Sequence, residues 1–109
     1  MEGKIEEIIN YLRTLKNLDY SEEEFKKEIT ISGEYNHLDL SKARGKEVRI
    51  ESQFTNILDL SYGRFSEVTL KGQFNLVDLT RAKIKTLNIK EAEIVVLDKW
   101  RAKICETKN

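Results

Sequence analysis

LDLSKARG (residues 38–45), LDLSYGRF (58–65), VDLTRAKI (77–84) and LDKWRAKI (97–104) are four versions of one phrase. Their aspartates, Asp39, Asp59, Asp78 and Asp98, stand 20, 19 and 20 residues apart. A repeat of near-constant length is the mark of a solenoid, in which each copy forms one coil and buries its apolar side chains only by stacking on its neighbours.

Between these copies the apolar residues alternate in short bursts: Ile29 and Ile31, Val48 and Ile50, Val68 and Leu70, Leu87 and Ile89. A period of two is that of a strand, here about three to five residues long. No Asn-Gly or Asp-Gly dipeptide separates the bursts, so a coil that turns at each corner fits better than a meander of tight hairpins. Stacked in a 20-residue register, the inward positions fall into four columns. These are Ile31, Ile50, Leu70 and Ile89; Tyr35, Phe54, Phe74 and Ile94; Leu40, Leu60, Leu79 and Lys99; and Gly45, Phe65, Ile84 and Ile104. A further column, Ala43, Gly63, Ala82 and Ala102, is uniformly small, as expected where the wall bends inward.

Residues 1–28 follow another period. Ile5, Ile8, Ile9, Leu12 and Leu15 make one apolar stripe at helical spacing, with Glu6, Glu7, Arg13 and Lys16 opposite. Ser21 followed by Glu24 reads as the capping box of a second, short helix through about Lys27. The expected architecture is a mainly β chain: a parallel β-solenoid of about four coils over residues 29–109, closed at its start by a helical cap over 1–28.

The 109 residues make one domain. The 19 basic and 19 acidic side chains cancel, which removes the field of a general nucleic-acid binder and equally that of a DNA mimic. With a single cysteine no internal disulfide forms, and the start MEGKIEEIINYL lacks the apolar core of a signal peptide, so a cytoplasmic protein is expected. No apolar run approaches the roughly 20 residues of a membrane span.

The stretch VDLTR, AKIKT, LNIKE, AEIVV, LDKWR, AKICE (residues 77–106) resembles pentapeptide-repeat proteins, whose five-residue units carry a small residue, a polar residue and a central Leu or Phe. The resemblance implies a right-handed, four-sided β-helix over about residues 29–106, and end-to-end pairing of two subunits. Leu38, Val48, Leu58, Val68, Val77, Leu87 and Leu97 depart from it, being bulky where that family prefers a small residue. An unrelated β-solenoid of similar coil length is the alternative.

Two polar columns should point outward: Asp39, Asp59, Asp78 and Asp98, then Arg44, Arg64, Lys83 and Lys103. An acidic ladder with a step of about 4.8 Å suits cations, but calcium-binding solenoids need a Gly-rich turn that this chain lacks. Each Asp is therefore expected to hold a corner through local backbone hydrogen bonds. The basic column is the candidate partner face. His37 and Cys105 lie more than three coils apart, too far for a nucleophile and base in one subunit, and no zinc spacing or phosphate-cradling Gly loop occurs. No catalytic residue, metal ligand or cofactor site is expected. His37 reads as a corner residue and Cys105 as a buried or interface thiol. Nucleic acid is an unlikely partner, because Phe54, Phe65 and Phe74, which could stack on bases, are assigned to the core.

The last coil is chemically unlike the others. Val95 and Val96 replace outward polar residues, Trp100 stands where Ser41, Ser61 and Thr80 stood, and only five residues follow Ile104. An uncapped solenoid end with apolar residues reads as a contact surface. Val95, Val96, Trp100, Ile104 and Cys105 are the expected homodimer interface, with Trp100 folded over the last coil as a lid the alternative. The functional expectation is a noncatalytic scaffold or protein-binding module, its partner unidentified. The alternatives are a regulator of a DNA-handling enzyme by mimicry, and a small-ligand or nucleic-acid binder using the basic face.

Overall fold

The computed structural model describes Glu7 and residues 15–109. Eight strands run through it: β1 Lys16–Asp19, β2 Glu24–Phe25, β3 Ile29–Ser32, β4 Tyr35–Asp39, β5 Arg44–Asp59, β6 Arg64–Asp78, β7 Lys83–Asp98 and β8 Lys103–Lys108. All their pairings are parallel. β1 lies on β4, β2, β3 and β4 lie on β5, and β6, β7 and β8 follow in order. The chain winds through about five turns of a parallel β-solenoid.

Each residue pairs with one 19 or 20 positions further on, as in Leu18↔Leu38, Leu38↔Leu58, Leu58↔Val77 and Val77↔Leu97. Extended backbone alternates its side chains, so each flat face turns two residues inward. Leu38 and Leu40 form one such pair and Val48 and Ile50 another, all four fully buried, with Ala43 at the bend between. The positions where bulky residues replaced small ones, Leu38, Val48, Leu58, Val68, Val77 and Leu87, are also fully buried. They widen the apolar shaft instead of facing solvent, each contributing roughly 1.5–3 kcal/mol of gross burial.

Three expectations need correction. The short helix from Ser21 to Lys27 does not form: β2 lies within this segment and β1 just before it, and Leu18, Tyr20 and Phe25 pack against the core. Among the described residues the solenoid is therefore already present from Lys16, inside the segment assigned to the cap, and has a fifth coil. Second, Phe54 is half-buried and Thr55 takes the inward place, in register with Tyr35 and Phe74. The pairing slips between Ser52 and Thr55. The buried Thr55 hydroxyl donates to the equally buried Ser52 Oγ at 2.7 Å, so this corner is polar inside yet satisfied. Third, His37 lies within β4 and not at a corner. The cap helix expected over Ile5, Ile8, Ile9, Leu12 and Leu15 falls outside the described residues except at Leu15, a buried bend residue. Among the described residues no helix is long and apolar enough to cross a membrane.

Candidate functional site

One corner is built the same way in every coil. Asp39 Oδ1 accepts the Ser41 N–H at 2.9 Å, and the Ala43 N–H donates to the Leu40 carbonyl at 3.1 Å. Asp19, Asp59, Asp78 and Asp98 cap the same bend, accepting from Ser21, Ser61, Thr80 and Trp100 at 2.8–3.0 Å. This is an Asx turn closing a β-turn. The acidic column is thus occupied in holding corners, and no group of three or more metal-ligating side chains exists among the described residues.

The third residue of each turn is left-handed: Glu22, Lys42, Tyr62, Arg81 and Arg101 have φ between 54° and 63°. None is Gly or Asn, the residues that take this conformation most easily. The turn stays in the ladder all the same, because the Lys42 N–H reaches the Ser61 carbonyl at 2.8 Å and the Tyr62 N–H reaches that of Thr80 at 2.9 Å.

Two residues later comes the basic column, with Arg44↔Arg64, Arg64↔Lys83 and Lys83↔Lys103 in strict register. Between it and the left-handed column runs a cleft of about 360 Å³ lined by Tyr62, Arg64, Arg81, Lys83, Arg101 and Lys103. The small residues Gly63, Ala82 and Ala102 separate the two walls along the chain. No carboxylate lines the cleft, and among the described residues none of its five cations lies within ion-pair distance of one. Trp100 lies beside it. Its ring is flanked by the guanidinium carbons of Arg81 at 5.3 Å and Arg101 at 4.5 Å from its centroid, cation–π contacts that hold both arginines in place.

A second cleft, about 200 Å³, sets off the first. Arg49, Glu51, Lys71, Lys90 and Glu91 all line it, and two of its three cations are paired, Arg49 with Glu51 at 3.7 Å and Lys71 with Glu91 at 3.3 Å.

On another face Asn17, Asn36, Asn56 and Asn75 form an amide ladder. Each Nδ2 donates to the Oδ1 one coil below, at 3.0–3.1 Å. The ladder stops at Val95, which stands in register above Asn75 and is 77% exposed. Val96 beside it, above Leu76, is 51% exposed. Ile104 packs partly against the core and Cys105 is exposed, which removes the buried-thiol reading. Trp100 is 55% exposed, more than a lid folded over the last coil would be.

The expected site residues therefore divide. Arg64, Lys83 and Lys103 meet in the cationic cleft, and Arg44 extends their column one coil down. Val95, Val96, Ile104 and Cys105 share the last coil but not the cleft. Tyr62 was missed as a site residue, and the amide ladder was not anticipated. Both were signalled, Tyr62 by its place in the repeat and the ladder by its 19- and 20-residue spacing. Asp59 does not line the cleft. His37 Nε2 is buried without a hydrogen-bond partner. No protein-family model, curated protein or solved structure matches the chain.

Proposed function

We propose that the protein is a noncatalytic binding module, a divergent pentapeptide-repeat solenoid that pairs with a second copy through its last coil. The pentapeptide reading draws on the inward positions, which recur in twos at five-residue intervals, as in Leu38 and Leu40, then Ala43 and Gly45, then Val48 and Ile50. Pairing draws chiefly on one observation: the polar amide ladder gives way to the exposed Val95, with the exposed Val96 beside it. Exposed apolar residues gathered in one place suit association with another surface. In this reading Val95, Val96, Trp100, Ile104 and Cys105 form the contact, and the flat faces of the coils remain free for an unidentified protein partner. Mimicry of duplex nucleic acid is the poorer fit, because Arg44, Arg64, Lys83 and Lys103 put positive charge where a mimic needs negative.

The test is mass in solution by light scattering. Wild type is expected at twice the chain mass, and Val95→Asp with Val96→Asp at the chain mass with the circular dichroism spectrum unchanged. A monomeric wild type, or a double variant that stays dimeric, overturns the pairing.

A further inference from the structure

We propose that the cationic cleft binds a nucleoside di- or triphosphate, with phosphates on Arg64, Arg81, Lys83, Arg101 and Lys103 and the base on Tyr62. The inference rests on the reading of the protein as a binding module, and Trp100, beside the cleft arginines, is the residue it shares with the proposed contact.

Like charges stacked in register on parallel strands repel one another. Several other columns of charge either meet an opposite charge, as Lys71 does at Glu91 and Lys42 at Glu22 (4.0 Å), or take hydrogen bonds, as the aspartates do from the turn N–H groups and Glu47 does with Glu28. Arg64, Lys83 and Lys103 do neither, and Arg81 and Arg101 add two more unpaired cations across a gap of about 360 Å³. That volume falls in the range of small-molecule sites. A polyanion supplies the missing counter-charge.

The backbone offers a second observation. Tyr62, Arg81 and Arg101 all have positive φ, near 59°, 55° and 54°. Glu22 and Lys42 share this conformation outside the cleft, so it belongs to the repeated turn. Here it places three long side chains along one wall.

The order of residues along the wall chooses the ligand. Tyr62 shares its coil with Arg64, Arg81 with Lys83 and Arg101 with Lys103. An aromatic platform, 51% exposed, thus stands at one end and two cation pairs follow at steps of about 4.8 Å. A ligand with an aromatic base at one end and a short phosphate chain at the other has the same order. A long single strand would need the pattern to repeat, yet below Tyr62 the wall passes to Lys42, already neutralised by Glu22.

Trp100 is the chain's only tryptophan and touches two of the cleft arginines, so its fluorescence reports on the site. Titration with adenosine triphosphate, without divalent cations and at low salt, is expected to shift its emission saturably. Inorganic triphosphate should bind about tenfold more weakly for want of stacking. Arg64→Glu with Lys83→Glu should weaken both at least about tenfold while leaving the dimer mass unchanged. Arg49→Glu with Lys90→Glu, the same charge change on another face, should leave binding intact. No saturable shift, or equal binding by the Arg64 and Lys83 variant, overturns the site. Equal affinity for the two triphosphates overturns the role of Tyr62. Tighter binding of a single-stranded DNA oligonucleotide than of adenosine triphosphate overturns the compact ligand in favour of nucleic acid. If Val95→Asp with Val96→Asp does not alter the mass yet the titration succeeds, pairing alone fails.

Discussion

Glycine and its opposite number decide the geometry at single positions. Gly72 has φ 112°, and a Cβ there would lie 1.6 Å from the Ser52 carbonyl oxygen of the coil below. Backbone against backbone leaves nothing flexible to yield. Gly72→Ala is therefore expected to destabilise by more than about 2 kcal/mol, read as the free energy of urea unfolding; a change under about 0.5 kcal/mol would show that the two coils do not approach this closely. Gly45 works differently. It stands in the column of Phe25 and Phe65, and its missing side chain leaves room for the ring below, whose Cβ would be 3.2 Å from an added carbon. Within this column Gly45 thus sits between two phenylalanines, while Phe65, Ile84 and Ile104 are large in succession.

At the scale of the strand the in-register ladder makes every column either a liability or a support. The amide ladder from Asn17 to Asn75 is a support, each side chain satisfying the next. Glu28, Glu47 and Glu67 are a liability: a hydrogen bond with the Glu28 carboxyl, then the nearby charges of Glu28 and Glu67, raise the Glu47 pKa above the usual 4.5. A raised carboxylate pKa means that the folded chain holds more proton than the unfolded one in the window just above that value, so stability falls as pH rises through it. Glu47→Gln removes this dependence. The Tm advantage of the variant over wild type should grow as pH climbs from about 4 towards 7; parallel Tm curves would contradict the shared proton. The strands themselves were legible from Ile29 onward, because alternating β-branched and leucine side chains leave a period of two. The first coil was not. LDYSEEEF at residues 18–25 is a fifth copy of the repeated phrase, with Asp19 the same 20 residues before Asp39. Three successive glutamates after a serine imitate a helix start, and the local signal hid the long-range one. Stacking on β5 overrides that preference, since Phe25 gains a place in the core only as part of a coil. Phe54 was misplaced for a related reason: a uniform register cannot anticipate the slip between Ser52 and Thr55.

For the whole molecule, neutrality on average conceals segregation in space. The composition argued against polyanion binding, yet the turn architecture gathers Arg64, Arg81, Lys83, Arg101 and Lys103 on one cleft and spends the aspartates on corners. The basic column was legible because its members share a repeat position. The opposite column shares a repeat position too, but nothing in the residues Tyr62, Arg81 and Arg101 announces the positive φ that sets them there. Both the cleft and the proposed pairing surface exist only if five coils lie parallel and in register from Lys16 onward. Engineered disulfides test this directly, because they close when Cα atoms are about 4.4–6.8 Å apart. Thr30 of β3 and Arg49 of β5 are in-register neighbours on adjacent coils, and Thr69 pairs with Arg49 one coil higher. With Cys105→Ser in the background, Thr30→Cys with Arg49→Cys is expected to form an intramolecular disulfide on mild oxidation, and Thr30→Cys with Thr69→Cys, two steps of about 4.8 Å apart, is not. A bond in the second pair and none in the first would contradict the stacked solenoid.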